Sequence, residues 1–235
     1  MNSLVNPEWF AMSLFNDPST VANYLDGTIK RVPGLLALHR MSEILLAEVV
    51  PEYGRVLVLG AGGGMELKAI AEAHPGWRLV GVDPSAPMLT LAAETLGALA
   101  PRVELIEGYI DAAPETAFDG AACLLTLHFL TPGERLRTLR EVWRRLKPGA
   151  PLVVAHHSFD TTAEGKARWF NRLVAFASPS SMPDSSRNAA IAAMSKRLPV
   201  LAPDAEVELL EQAGFEGIEL FYAAFTFRGW VAYRA

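Results

Sequence analysis

Histidines at 128, 156 and 157 follow two apolar, strand-like runs, "FDGAACLLTL" and "APLVVAHH". An imidazole titrates near neutrality, so His128, His156 or His157 could take a proton from a reacting group at a strand end. Upstream, "VLVLGAGGGMEL" (residues 56–67) sets four glycines between a strand-like run and a helical pattern. Missing side chains let the main chain turn sharply and approach a ligand closely, and amides at a helix start favour an anionic group such as a carboxylate. Asp83 ends the next strand-like run, "LVGVDPS". An acid about 20 residues after the first glycine, at a strand end, is placed to accept both hydroxyls of a ribose. Its other use would be to cap the following helix, and Ser85 is better placed for that.

The glycine order decides between two nucleotide-handling loops. A dinucleotide fingerprint, G-x-G-x-x-G, needs glycine at 65 or 67, where Met65 and Leu67 stand. Gly60, Gly62 and Gly64 fit G-x-G-x-G instead.

These residues need a scaffold, and its elements are readable. "RVLVLG", "WRLVGVD", "RVELIEG", "FDGAACLLTL" and "APLVVAHH" alternate with amphipathic segments, which implies a parallel sheet with helices on both faces. Ser85 is set to cap "APMLTLAAETLGAL", and Thr131, Pro132 and Glu134 form a capping box. Leu136, Leu139, Trp143 and Leu146 then mark a buried stripe. The expected organisation is one domain: a helical N-terminal cap over 1–50, a ligand-binding core over 51–158, a variable insertion over 159–205, and a terminal helix and hairpin over 206–235. "ASPSSMPDSSRN" reads as a loop or flexible segment flanked by possible helices, and the hairpin turn is expected at Arg228-Gly229. His39 reads as a packed helix residue.

Composition narrows the setting. The 235 residues are 51% hydrophobic with a net charge of −5 and one cysteine, Cys123. That suits a globular chain with no intrachain disulfide and no overall pull toward nucleic acid. Neither a basic-then-apolar leader nor an apolar run of membrane length is visible, so a cytoplasmic setting without a membrane is expected. Arg135, Arg137, Arg140, Arg144, Arg145 and Lys147 could contact RNA, but a solvated helix face is the favoured account.

Taken together, "VLVLGAGGG", "GVDPSAPML", "ELIEGYI", "LLTLHFL", "LKPGAPLVV" and "AGF…FTFRGWVAY" resemble the class I S-adenosylmethionine-dependent methyltransferases. The resemblance spans roughly residues 50–235. It implies a Rossmann-like α/β fold with a seven-stranded, mostly parallel sheet whose last strand runs antiparallel. It also implies S-adenosylmethionine as cofactor and S-adenosylhomocysteine as product. Gly60, Ala61, Gly62 and Gly64 would line the methionine part, Asp83 the ribose, and Tyr109, Ile110 and Asp111 the adenine. Pro84, Met88 and Leu125 complete the expected cofactor-contacting set, and no metal is expected. The chain departs from the pattern at Val58, where the family usually has an acid, and at Gly108-Tyr109, where it commonly has Gly-Asp.

Within that class, "KRVPG", "TLHFLTPGERLRTL", "KPGAPLVV" and "AGFEGIELFYAAFTF" are similar to the carboxy-S-adenosylmethionine synthases that serve tRNA wobble-uridine modification. Those enzymes carboxylate the sulfonium methyl using prephenate. Their tyrosine after Pro-Gly corresponds to Leu35 and their fourth-strand asparagine to Leu124, with Arg187 and Arg197 as alternatives for the carboxylate-binding arginine. Losing several polar contacts to a buried carboxylate is costly. The reading carried forward is methyl transfer to a small-molecule acceptor, with a homodimer left open. Aromatic residues of "WFAMSLF", Tyr24, Trp169 and Phe170 could wall an acceptor pocket, with ordinary core packing the favoured account. The alternatives are carboxy-S-adenosylmethionine synthesis, a nicotinamide-dependent oxidoreductase, and a cofactor-binding module without chemistry.

Overall fold

The computed structural model describes residues 15–179 and 181–235. Seven strands form one sheet: β1 Arg55–Leu59, β2 Arg78–Asp83, β3 Val103–Glu107, β4 Gly120–Leu124, β5 Pro151–His157, β6 Phe215–Ala224 and β7 Phe227–Arg234. Their order is β3-β2-β1-β4-β5-β7-β6. β1 pairs in parallel with both β2 and β4, β2 with β3, and β4 with β5. β7 alone runs antiparallel to its neighbours, β5 and β6. Strand order reverses between β1 and β4, and in such sheets ligands bind beyond the carboxyl ends at that switch point.

Side chains alternate across the sheet. Val56 and Val58 join Leu38, Leu67 and Ile70 on one face, while Leu57 and Leu59 join Leu139, Val142 and Leu210 on the other. The first face is covered by α3 (Leu35–Ala47), α4 (Met65–Ala73) and α5 (Ala86–Leu96), and the second by α6 (Pro132–Arg145) and α9 (Pro203–Ala213). Short helices α1 (Pro18–Ala22) and α2 (Tyr24–Arg31) precede the core, and α7 (Ala163–Ala177) and α8 (Asp184–Arg197) fill the expected insertion. Within the segment expected as a cap, α1 to α3 are helical and α3 packs on the sheet; residues 1–14, with most of "WFAMSLF", lie outside the described residues.

The cap signals hold. The Ser85 hydroxyl accepts from Met88 N at 3.2 Å. Thr131 N donates to Glu134 Oε2 at 2.8 Å, and Glu134 N returns a longer bond to Thr131 Oγ1 at 3.4 Å.

Three expectations need correction. The hairpin turns at Phe225-Thr226, with Phe225 at φ 49°, while Arg228 and Gly229 pair within β7 to His156 and Ala155. Gly229 is there to clear the Phe221 ring, 3.0 Å from where a Cβ would stand. "DSSRN" opens α8 rather than continuing a loop; that helix buries no residue, so no apolar stripe announced it. Finally, Arg135 and Arg145 are buried, not part of a solvated face. Arg135 meets the Glu206 carboxylate of α9, and Arg145 donates to Glu141 Oε2 at 2.6 Å.

Candidate functional site

A crevice of about 120 Å³ opens at the carboxyl edge of the sheet over the switch point. It runs from Gly60 and Gly62 past Asp83 to Gly108, Tyr109 and Ile110, with Phe129 and Leu130 opposite. Apolar groups dominate the walls. Of the cofactor-contacting residues expected from sequence, Gly60, Gly62, Asp83, Pro84, Met88, Tyr109, Ile110 and Leu125 line it.

The loop builds its turn from its own amides. Gly60 N and Ala61 N both donate to Val82 O, at 2.8 and 3.0 Å, and Gly64 N to Ala61 O at 3.0 Å. Gly62 N donates to Asp83 Oδ2 at 2.8 Å, and Ser85 N to Asp83 Oδ1 at 2.9 Å. These amides lock the loop onto β2 and fix the Asp83 carboxyl. Burial pushes that carboxyl's pKa up, while the Ser85 and Gly62 amides oppose the shift. Each carboxylate oxygen can accept more than one hydrogen bond, so Asp83 still has capacity toward the crevice.

Gly60, at φ 78°, has Thr126 where a Cβ would stand. Gly60→Ala is expected to cost about 2 kcal/mol or more through left-handed strain and this overlap. Chemical denaturation would show it, and an unchanged midpoint would mean that Thr126 moves aside freely. Gly64 similarly lies against the backbone of Ala92 on α5, so it fits loop to helix instead of lining the crevice. Leu125, just past β4, holds φ 57° and is shared by the crevice and a side chamber. A non-glycine residue held in that region marks a position fixed by its surroundings.

Several expected site residues stand elsewhere. Asp111 does not line the crevice, because Arg137 Nη1 holds both its oxygens at 3.0 Å on the surface. Ala61 lines the side chamber only. None of the three histidines lines the crevice. His128 is buried, edge-on to His157 at 4.6 Å, with no hydrogen-bond partner on Nδ1. His157 meets Thr226 Oγ1 at 2.9 Å and stacks on Phe227. His156 Nε2 lies 3.2 Å from Glu206 Oε2. Burial drives the His128 and His157 pKa values down, the latter to about 3, so both imidazoles are neutral groups of the interior. Neither Trp169 nor Phe170 reaches the crevice; Phe170 joins Phe159 and Val200 in a small core of its own. Arg187 and Arg197 lie on α8 and also miss it.

What the sequence reading missed is the side chamber. About 30 Å³ in size, it is lined by Tyr24, Leu35, His39, Gly60, Glu66 and Leu124, among others. Glu66 is buried, and its Oε1 has no hydrogen-bond partner. One signal was available: Glu66 shares a helix face with Ile70 at i,i+4, which is the buried stripe of α4.

Comparison with known proteins agrees with this geometry. Residues 56–149 match a family described as a methyltransferase domain. Over 224 residues the chain is 28% identical to the carboxy-S-adenosyl-L-methionine synthase of Klebsiella pneumoniae (strain 342), covering 92% of this chain and 89% of that one. Among solved structures, the pyocyanin biosynthetic protein PhzM superposes with a TM-score of 0.68 at 22% identity over 96% of this chain. PigF, solved with S-adenosylhomocysteine, gives a TM-score of 0.63 at 16% identity over 95%. The chain spans 62% of the length of each of these two structures. The crevice at the strand-order reversal, the ordered loop–acid pair and these likenesses converge: the chain has the fold and the domain of an S-adenosylmethionine-dependent methyltransferase.

Proposed function

We propose that the protein transfers a methyl group from S-adenosylmethionine to a small-molecule acceptor. The observation that carries this reading is the continuity of one apolar crevice from the glycine loop, past a carboxylate anchored by two backbone amides, to Tyr109 and Ile110. On this reading Asp83 takes the ribose hydroxyls, and Met88, Ile110 and Tyr109 bracket the adenine. The donor set fits the cofactor: a fixed acceptor for paired hydroxyls, apolar walls for a base, and an unpartnered carboxyl, Glu66, beyond the loop.

When bound, the cofactor supplies a methyl group made electrophilic by its positive sulfur. The chain's own part is to align and to exclude water. Phe15, Tyr24 and Phe129 make an edge-on aromatic wall over the crevice, with Phe15 5.6 Å from Phe129 and 6.0 Å from Tyr24. Because His128, His156 and His157 all stand off the crevice, none is assigned as a base; the reading suits an acceptor whose nucleophilic atom needs no proton removed.

A second reading, the carboxylated cofactor, draws support from the relatives named carboxy-S-adenosyl-L-methionine synthase. The side chamber disfavours it. Leu35 and Leu124 offer no hydrogen bond to an added carboxylate. Mass spectrometry of ligand co-purified with the protein separates the two.

Calorimetry with S-adenosylhomocysteine tests the main reading. Asp83→Ala is expected to weaken its binding at least tenfold, the value of charged hydrogen bonds to two hydroxyls. Unchanged affinity in a folded variant would remove Asp83 from the site, and stabilisation by NADH alone would overturn the reading.

A further inference from the structure

The side chamber meets the crevice at Gly60, Tyr24, Leu124 and Leu125. At about 30 Å³ it holds roughly two waters or one small head group, and no second molecule of any size. Its acid is Glu66, whose Oε1 has no partner. Acids in a first helical turn commonly serve the helix dipole from the surface. Glu66 instead lies on the inward stripe with Leu67, Ile70 and Ala71.

A nearby cation, Arg31 of α2, acts on Tyr24 and donates to Thr28 Oγ1 at 3.5 Å but does not line the chamber. The titratable groups facing Glu66 are Tyr24 of α2, His39 of α3 and Cys123 of β4, with Asp83 acting on Tyr24 from beyond. Burial raises the Tyr24 pKa to about 12 and pushes the Cys123 thiol up as well. It lowers His39 to about 4, so all three are neutral near pH 7. Among the described residues, no lysine or arginine lines the chamber. A buried carboxyl in such a place is costly unless a cation joins it. Val58, fully buried two residues before Gly60, contributes no charge either.

We propose that Glu66 is the counter-ion for an alkylammonium group seated in this chamber. Resting on the cofactor reading above, the favoured source is the amino end of the cofactor's amino-acid tail; an amine-bearing acceptor is the other source of the same chemistry. Burial holds the empty Glu66 carboxyl up to about 8, so an ammonium that binds below that pH displaces a proton. Affinity therefore rises with pH, by up to tenfold per unit between about pH 6 and 7.5.

The test compares S-adenosylhomocysteine with its analogue lacking the α-amino group, on the wild-type chain and on Glu66→Gln, by calorimetry at pH 6 to 7.5. The expected result is at least a tenfold loss for S-adenosylhomocysteine in the variant, little change for the desamino analogue, and loss of the pH slope. The slope on wild-type protein alone gives a readout should the variant fail to fold. Butylamine, added to the S-adenosylhomocysteine-loaded chain, is the second arm. A Glu66-dependent thermal shift with butylamine, alongside unchanged S-adenosylhomocysteine affinity in the variant, assigns the ammonium to the acceptor. Equal binding of every probe by both chains, with no pH slope, overturns the proposal while leaving the cofactor reading intact. Failure of wild-type protein to bind S-adenosylhomocysteine sinks the cofactor reading instead, and butylamine on the ligand-free chain then decides Glu66 by itself.

Discussion

Glu206→Ala is expected to lose about 3–5 kcal/mol of folding stability, the range for stranding a buried charge. Arg135 is completely buried on α6 and meets Glu206 of α9 in an ion pair, with carbonyls of Leu130 and Pro199 at 3.3 and 3.1 Å taking its other amino group. His156 of β5 approaches the other Glu206 oxygen, so one carboxylate joins a strand and two helices. Burial by itself would raise the Glu206 pKa; His156 and Arg135 outweigh it and hold the carboxyl below its usual range. Removing the carboxylate leaves a guanidinium with two carbonyls and no counter-charge. The double variant Arg135→Met/Glu206→Leu is expected to recover most of the loss, because apolar side chains of similar volume replace a buried pair at little cost. Urea denaturation of the two single variants and the double closes the cycle. A loss under about 1 kcal/mol in Glu206→Ala would mean that water reaches Arg135.

Acidification is expected to be nearly as damaging. Burial lowers His39 to about 4 and His157 to about 3, and holds His128 well below its ordinary value. An unfolded imidazole takes a proton near pH 6.5, so below that pH the unfolded chain binds protons that the native chain refuses. The stability tied to these three groups is complete above pH 6.5 and drains as pH falls toward their folded values. Glu66 works the other way: its raised folded value gives stability that is full below about 4.5 and lost as pH climbs through about 8. Three protons against one leave a net slope of about two, or roughly 2.7 kcal/mol per pH unit between pH 6.5 and 4.5. Domains of ordinary stability, about 5–15 kcal/mol, have little reserve against that. Urea midpoints across this range measure the slope, and His128→Leu should reduce it by about one proton. The same slope in both chains would show that His128 is protonated in the folded protein.

The sheet was legible because its strands are short, apolar and separated by strong caps at Ser85 and Thr131. The terminal antiparallel strand was legible as well, though its turn was displaced by Gly229, a glycine that clears an aromatic ring instead of bending the chain. The start of α8 was misplaced because a helix that buries nothing has no apolar period to mark where it begins. At the site, local pattern pointed to the loop and Asp83, and the family resemblance to Tyr109; all three line the crevice at strand ends. Pairing across the fold was invisible to it. Asp111 is claimed by Arg137, 26 residues away, and Arg135 is drawn inward by an acid 71 residues away. Glu66 escaped because an acid at a helix start has an ordinary explanation, and only the stripe it shares with Ile70 argued otherwise.

Ser85 has a second task beyond its cap. Its hydroxyl lies 2.9 Å from both Phe15 O and Asn16 Oδ1, fastening the chain ahead of α1 to the start of α5. Phe15 then leans on Tyr24 and Phe129, so the aromatic wall is a strap buckled at one serine. Loss of that one hydroxyl would therefore release the cap of α5 and the wall over the crevice together.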